Sequence, residues 1–115
     1  MTAVYELIGE VDNGGFLQYF VNSGGDHWRD ALSGMSAMGM EHDRELFQKV
    51  LDFFQPGLPN EDRDKRHHQI AKISKRKDKP FASIETEFYA DVDGRKSLLL
   101  RHLAAHAEEF RIAAN

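Results

Sequence analysis

Cysteine is absent from the 115 residues, which excludes disulfide staples and every thiolate nucleophile or metal site, and suits a reducing compartment. Proline occurs three times, twice in QPGLPN and once in KDKP, and both places read as breaks. Long apolar runs are missing as well. No stretch approaches the roughly 18 residues of a membrane span, and MTAVYELIGEV has no basic n-region or sustained apolar stretch of the kind that marks a signal peptide. Apolar and polar residues nowhere alternate for long enough to mark a strand, and there is no internal repeat, coiled-coil heptad or low-complexity tail. The expectation is a single all-helical domain over residues 1–115, cytoplasmic and without a membrane segment.

Catalytic raw material is thin too. None of the serines sits in a G-x-S-x-G turn, and pairs such as Glu85/Glu87 read as solvated helix faces. His102 and His106 stand at i, i+4, a spacing that can place two imidazoles on one metal. No glutamate follows His102 in the H-E-x-x-H manner, and only Glu109 is at hand as a third donor, so the two read as boundary histidines. His67 and His68 point about 100° apart on a helix and cannot easily share an ion. The chain is therefore expected to be no enzyme, with no metal and no cofactor.

What is present is helical periodicity. Val4, Leu7, Ile8 and Val11 form one stripe, stopped at Asn13-Gly14-Gly15, where Asn and Gly tolerate the left-handed conformation that closes a helix. A short aromatic helix follows with Phe16, Leu17, Tyr19 and Phe20, ended by Asn22-Ser23-Gly24-Gly25. Gln18 and Asn22, at i, i+4, are expected to bond each other or corner backbone groups. Asp26 suits the N-cap of a third helix bearing Trp28, Ala31, Leu32 and Met35. A fourth runs from about Glu41 to Phe54. Asn60 is the expected cap of a fifth, 61–77, and Phe81, Ile84 and Phe88 mark a sixth. Asp93-Gly94 reads as a turn before a last helix, 95–113, with Leu99, Leu103 and Phe110 on one side. The fold class is all-α, an irregular bundle of six to seven helices in one domain, with the aromatic residues as core and the glycines as corners.

The net charge of −4 hides a sharp asymmetry. Residues 1–62 carry 11 acids against 3 bases, whereas residues 63–79 carry 8 bases against 2 acids. Arg63, Lys65, Arg66, Lys72, Lys75, Arg76, Lys77 and Lys79 make one basic segment on an acidic body. Phosphate binding through that segment, as in a nucleic-acid-binding protein, is the first alternative functional reading, although no aromatic residue interleaves these cations in sequence for base stacking. A metal-dependent enzyme built on His102, His106 and a carboxylate is the lesser one.

EVDNGGFLQYFVNSGG, then ALSGMSAMG, then FYADVDGRKSLLLRHLAAHAEEFR resemble the DNA-mimic protein family, small bacterial all-helical proteins. The shared core E-x-x-N-G-G-F-x-Q-aromatic-F-x-N falls here on Glu10, Asn13, Gly14, Gly15, Phe16, Gln18, Tyr19, Phe20 and Asn22. The resemblance covers nearly the whole chain. It implies an all-α acidic protein whose carboxylates are spaced like the phosphates of duplex DNA and occupy the DNA-binding face of a transcription regulator. The acids available for that role are Glu6, Glu10, Asp12, Asp26, Asp30, Glu41, Asp43, Glu45 and Asp52. The expected partner is thus a basic protein, a transcription regulator being the implied case. The complementary acidic and basic surfaces also make a homodimer the expected state.

Overall fold

A computed structural model describes residues 2–105. Six α-helices account for most of them: α1 Thr2–Val21, α2 Trp28–Ala37, α3 Glu41–Asp52, α4 Arg63–Arg76, α5 Ala82–Ala90 and α6 Val92–Ala105, with a 3-10 turn at Ser23–His27 between the first two. No strand occurs among the described residues. The architecture is the all-α bundle that the periodicity predicts. α1 is its axis, packing against α2, α4 and α5, while α3 lies against α2 and α5.

The expected stop at Asn13-Gly14-Gly15 is a kink within α1. Only Gly15 leaves helical geometry, with φ 85° and ψ 179°, a combination open in practice to glycine alone. The kink lets Val4, Leu7 and Val11 before it, and Phe16, Tyr19 and Phe20 after it, all point inward. Phe47 of α3 stacks between two of those rings, its centroid 6.2 Å from Phe16 and 6.0 Å from Phe20. Phe88 of α5 meets Phe16 edge-on at 5.5 Å, and Phe54 lies 5.0 Å from Phe20. Each such ring contributes roughly 1.5–3 kcal/mol by burial, with a smaller increment from offset and edge-to-face pairing. This aromatic knot joins α1, α3 and α5.

Three local expectations are corrected. Asp26 caps nothing: it lies inside the 3-10 turn, and His27 occupies the N-cap of α2 without a side-chain bond. Asp62, not Asn60, caps α4, accepting from the Lys65 N–H at 3.0 Å, while Asn60 Oδ1 accepts from the Asp62 N–H at 2.9 Å. Asp93-Gly94 is not a turn but the first turn of α6, closed by the Arg95 N–H donating to the Asp91 carbonyl at 3.0 Å. The apolar side expected of that last helix is only half buried at Leu99 and Leu103, and Phe110 lies outside the described residues.

Candidate functional site

The glycine-fenced corner has an inner apolar face and an outer polar one. Breaking α1 at Gly15 frees the Phe16 N–H, and Glu85 of α5 accepts from it at 2.8 Å. A carboxylate at the start of the Phe16–Val21 turns also meets the positive end of their dipole. A Cβ on Gly15 would collide with that same carboxylate, and one on Gly14 with the Gln18 amide. Gln18 and Asn22 do not bond each other. Gln18 Nε2 and Asn22 Nδ2 donate to one oxygen of Glu10, at 3.0 and 2.9 Å, because an ionised carboxylate is a stronger acceptor than an amide. Asn13 stands exposed beside them. Glu85, read from sequence as half of a solvated acid pair, is the side chain missed. Nothing local marks it, since its partner lies 69 residues away.

The basic segment does not form a single surface. Arg66, expected among its exposed cations, is fully buried. Its Nε donates to Phe20 O at 2.6 Å, Nη1 to Asn60 O and Glu61 O at 2.9 and 3.2 Å, and Nη2 to Asn22 O and Asp26 Oδ1 at 3.0 and 2.7 Å. Two of those carbonyls end α1, whose last C=O groups have no helical partner; a cation there is favoured twice over. Gly25 permits this closure: a Cβ would lie 2.8 Å from Tyr19 O and 3.1 Å from Arg66 Nε. Lys65, Lys72, Lys75, Arg76 and Lys77 remain exposed.

Several of the expected partner-binding acids are likewise spent inside the fold. Asp43 is buried and paired with Arg95 of α6 at 3.1 Å, so it cannot serve a surface. Burial pushes its carboxyl above the ordinary aspartate range despite Arg95. Arg95 is further held by the Phe88 carbonyl at 3.0 Å and by the Phe88 ring, 3.7 Å from its guanidinium carbon. Asp26 is engaged by Arg66 at 2.7 Å and Arg63 at 3.2 Å. Glu41 pairs with Arg44 one turn on, and Asp52 accepts from Gln48 at 3.1 Å. Glu6, Asp12, Asp30 and Glu45 are exposed and make no ion pair among the described residues.

Asp26 carries a pH-dependent consequence. Partial burial raises its carboxyl pKa, but the bonds from Arg66 and Arg63 outweigh this and hold it below the ordinary 3.8. Its pairing therefore stabilises the fold fully above that value and is lost as pH falls through the lower folded-state pKa. Asp43, raised, has the opposite sign, favouring the fold at low pH and losing that contribution as pH rises through its folded pKa. In urea unfolding stepped downward from about pH 4, the native chain should lose stability more steeply than Asp26→Asn. Parallel curves would contradict the pairing.

The carboxylates of α1 and their neighbours fall into two groups. Glu6 and Glu10 stand one turn apart on α1, about 6 Å along its axis. Glu6 and Asp30 both act on Tyr19, whose phenol is pushed above its ordinary range by burial first and by Glu6 next, with Asp26 and Asp30 adding to it. Asp12 and Glu85 flank Tyr89, raised by burial and then by those two carboxylates; its hydroxyl donates to Val11 O at 2.7 Å.

Among the described residues no three His, Cys, Asp or Glu side chains are grouped to hold a metal ion. His67 Nε2 is 2.8 Å from Val21 O, a contact that ties α4 to the end of α1. His106 and Glu109, the other members of the i, i+4 pattern at His102, lie outside the described residues. No helix among the described residues is long and apolar enough to cross a membrane. Compared with known proteins, the chain matches no curated protein and no solved structure. A family model, that of DMP19-like protein, matches residues 1–106. With the kinked aromatic corner and the helical bundle falling wholly within that span, the chain belongs to the DMP19-like family.

Proposed function

We propose that this chain acts by binding, through the carboxylates of α1 and the start of α2, the basic surface that a DNA-binding protein presents to duplex DNA. The carrying observation is that, beyond the effect of burial, Glu6 and Asp30 both raise the Tyr19 phenol by their charge, that Glu6 and the Tyr19 ring both border Gly24, and that Glu10 follows Glu6 one turn on along α1. Membership in the DMP19-like family supports a DNA-mimic role, and no catalytic chemistry is required of the site. Along α1 the acids Glu6, Glu10 and Asp12 are separated by rises of about 6 and 3 Å, a close succession of negative charge of the kind a DNA strand presents. A rigid helix holds these charges at little entropic cost, so they can engage arginines and lysines meant for phosphates.

The folded chain presents fewer free carboxylates than its sequence contains. Asp43 is buried and Asp26 is neutralised by two arginines, which leaves Glu6, Asp12 and Asp30 as the unpaired, exposed charges of α1 and α2 to test. A regulator retained by the immobilised chain at about 50 mM salt should be released near 500 mM, and duplex DNA should displace it, because mimic and DNA compete for one surface. Glu6→Gln with Asp30→Asn should abolish retention, whereas Asp64→Asn on α4 should not. Retention indifferent to salt, or a regulator that binds DNA and this chain together, would refute the reading.

A further inference from the structure

We propose that the cleft between the C-terminal end of α3 and α4 is a docking site for an acidic peptide segment carrying apolar side chains. The cleft encloses about 520 Å³, and an adjoining hollow of about 420 Å³ shares Phe53, Gln55, Ile73 and Arg76 with it, so the two form one groove. Such volumes fall in the range of small-ligand sites, roughly 300–1,000 Å³. Phe53, Phe54 and Ile73 provide an apolar floor, and Lys72, Lys75 and Arg76 the rim, extended by Lys49 and Lys77. One acid, Asp52, lines it.

The charge pattern selects the occupant. Arg29, Arg44, Arg63, Arg66 and Arg95 each pair with a carboxylate, but none of the five groove cations does so among the described residues. Arg76 Nη2 is spent on Phe53 O at 2.9 Å, which fixes the rim against the floor. Gln69 holds the outer wall, donating to Leu58 O at 2.8 Å and accepting from the Asn60 N–H at 2.7 Å. An acidic peptide supplies the missing carboxylates, and its apolar side chains displace water from the floor. A nucleic acid fits less well. The aromatic rings of the groove are Phe53, engaged edge-on by Phe81 at 5.3 Å, and Phe54, which is buried, so the groove offers no row of exposed rings on which successive bases could stack. The 11 acids of residues 1–62 would also repel a long polyanion. This site is independent of the acidic face and uses charge of the opposite sign.

The test is fluorescence anisotropy on the full chain, with a labelled peptide of alternating glutamate pairs and Phe-Leu, and a charge-matched peptide with Gly-Ser in place of Phe-Leu. The Phe-Leu peptide should bind about tenfold more tightly, and Lys72→Glu with Lys75→Glu should weaken it by about tenfold or more. Lys65→Glu, a charge reversal on α4 outside the groove, should alter binding by less than about twofold. Both substituted lysines are exposed, and circular dichroism checks that the helices persist. Equal binding of the two peptides, or equal loss in Lys65→Glu, would reduce the effect to bulk charge and overturn the proposal. Tighter binding of a short oligothymidylate at about 0.15 M salt would overturn it in favour of nucleic acid.

Discussion

Replacing Arg66 with alanine should lower the unfolding free energy by about 3–5 kcal/mol, the usual cost of removing one partner from a buried charged network. The side chain is fully buried and donates five hydrogen bonds, to four backbone carbonyls and to Asp26. Deleting it removes the side-chain donors from the carbonyls of Phe20, Asn22, Asn60 and Glu61, leaves a cavity of arginine size, and leaves Asp26 with Arg63 alone. A domain with a total of roughly 5–15 kcal/mol would be close to unfolding at growth temperature. Arg66→Lys should recover only part of the loss, since an ammonium cannot span acceptors on both sides of the guanidinium fork. Lys65→Ala, next door in sequence but exposed, should stay within about 0.5 kcal/mol. Urea unfolding followed by circular dichroism distinguishes these. A loss under about 1 kcal/mol for Arg66→Ala would mean that water replaces the guanidinium at little cost.

Gly15→Ala should destabilise by about 3–5 kcal/mol, from two separable sources. The backbone at φ 85° and ψ 179° costs a residue with a Cβ about 1–3 kcal/mol. That Cβ would also displace the Glu85 carboxylate from the Phe16 N–H, and a charge-assisted bond of this kind is worth about 1.5–3 kcal/mol. A double-mutant cycle separates the two. In an Glu85→Ala background the second source is already gone, so Gly15→Ala should cost about half as much there. Additive losses would show that the glycine and the glutamate act independently and that the carboxylate merely lies near the kink.

These two residues mark where sequence reading succeeds and where it ends. The Asn-Gly-Gly fence is legible as a corner because the conformational freedom of glycine is a local property. The same reading places the stop anywhere from Asn13 to Gly15, and only the packed helices single out Gly15. Likewise the i, i+4 spacing of Gln18 and Asn22 shows that both amides share a face. Their common acceptor, Glu10, depends on the angle at which the kink brings the two halves of α1 together.

The charges were the least legible. Arg66 and Lys65 are adjacent members of one basic run, yet one is sealed in the interior and the other is solvated. Asp43 looks like a first-turn acid suited to a helix dipole, and its burial follows from Arg95, 52 residues distant. The basic groove is hidden in the same way, since its cations and its aromatic floor come from segments on either side of QPGLPN. Periodicity, glycine and proline act over a few residues, so the sequence by itself determined that this is an all-helical chain with aromatic corners and where most helices lie. Which charges face water, which pair inside and which line a groove was decided only by the tertiary structure, because a charge is stabilised or exposed by the elements packed against it and not by its neighbours in the chain.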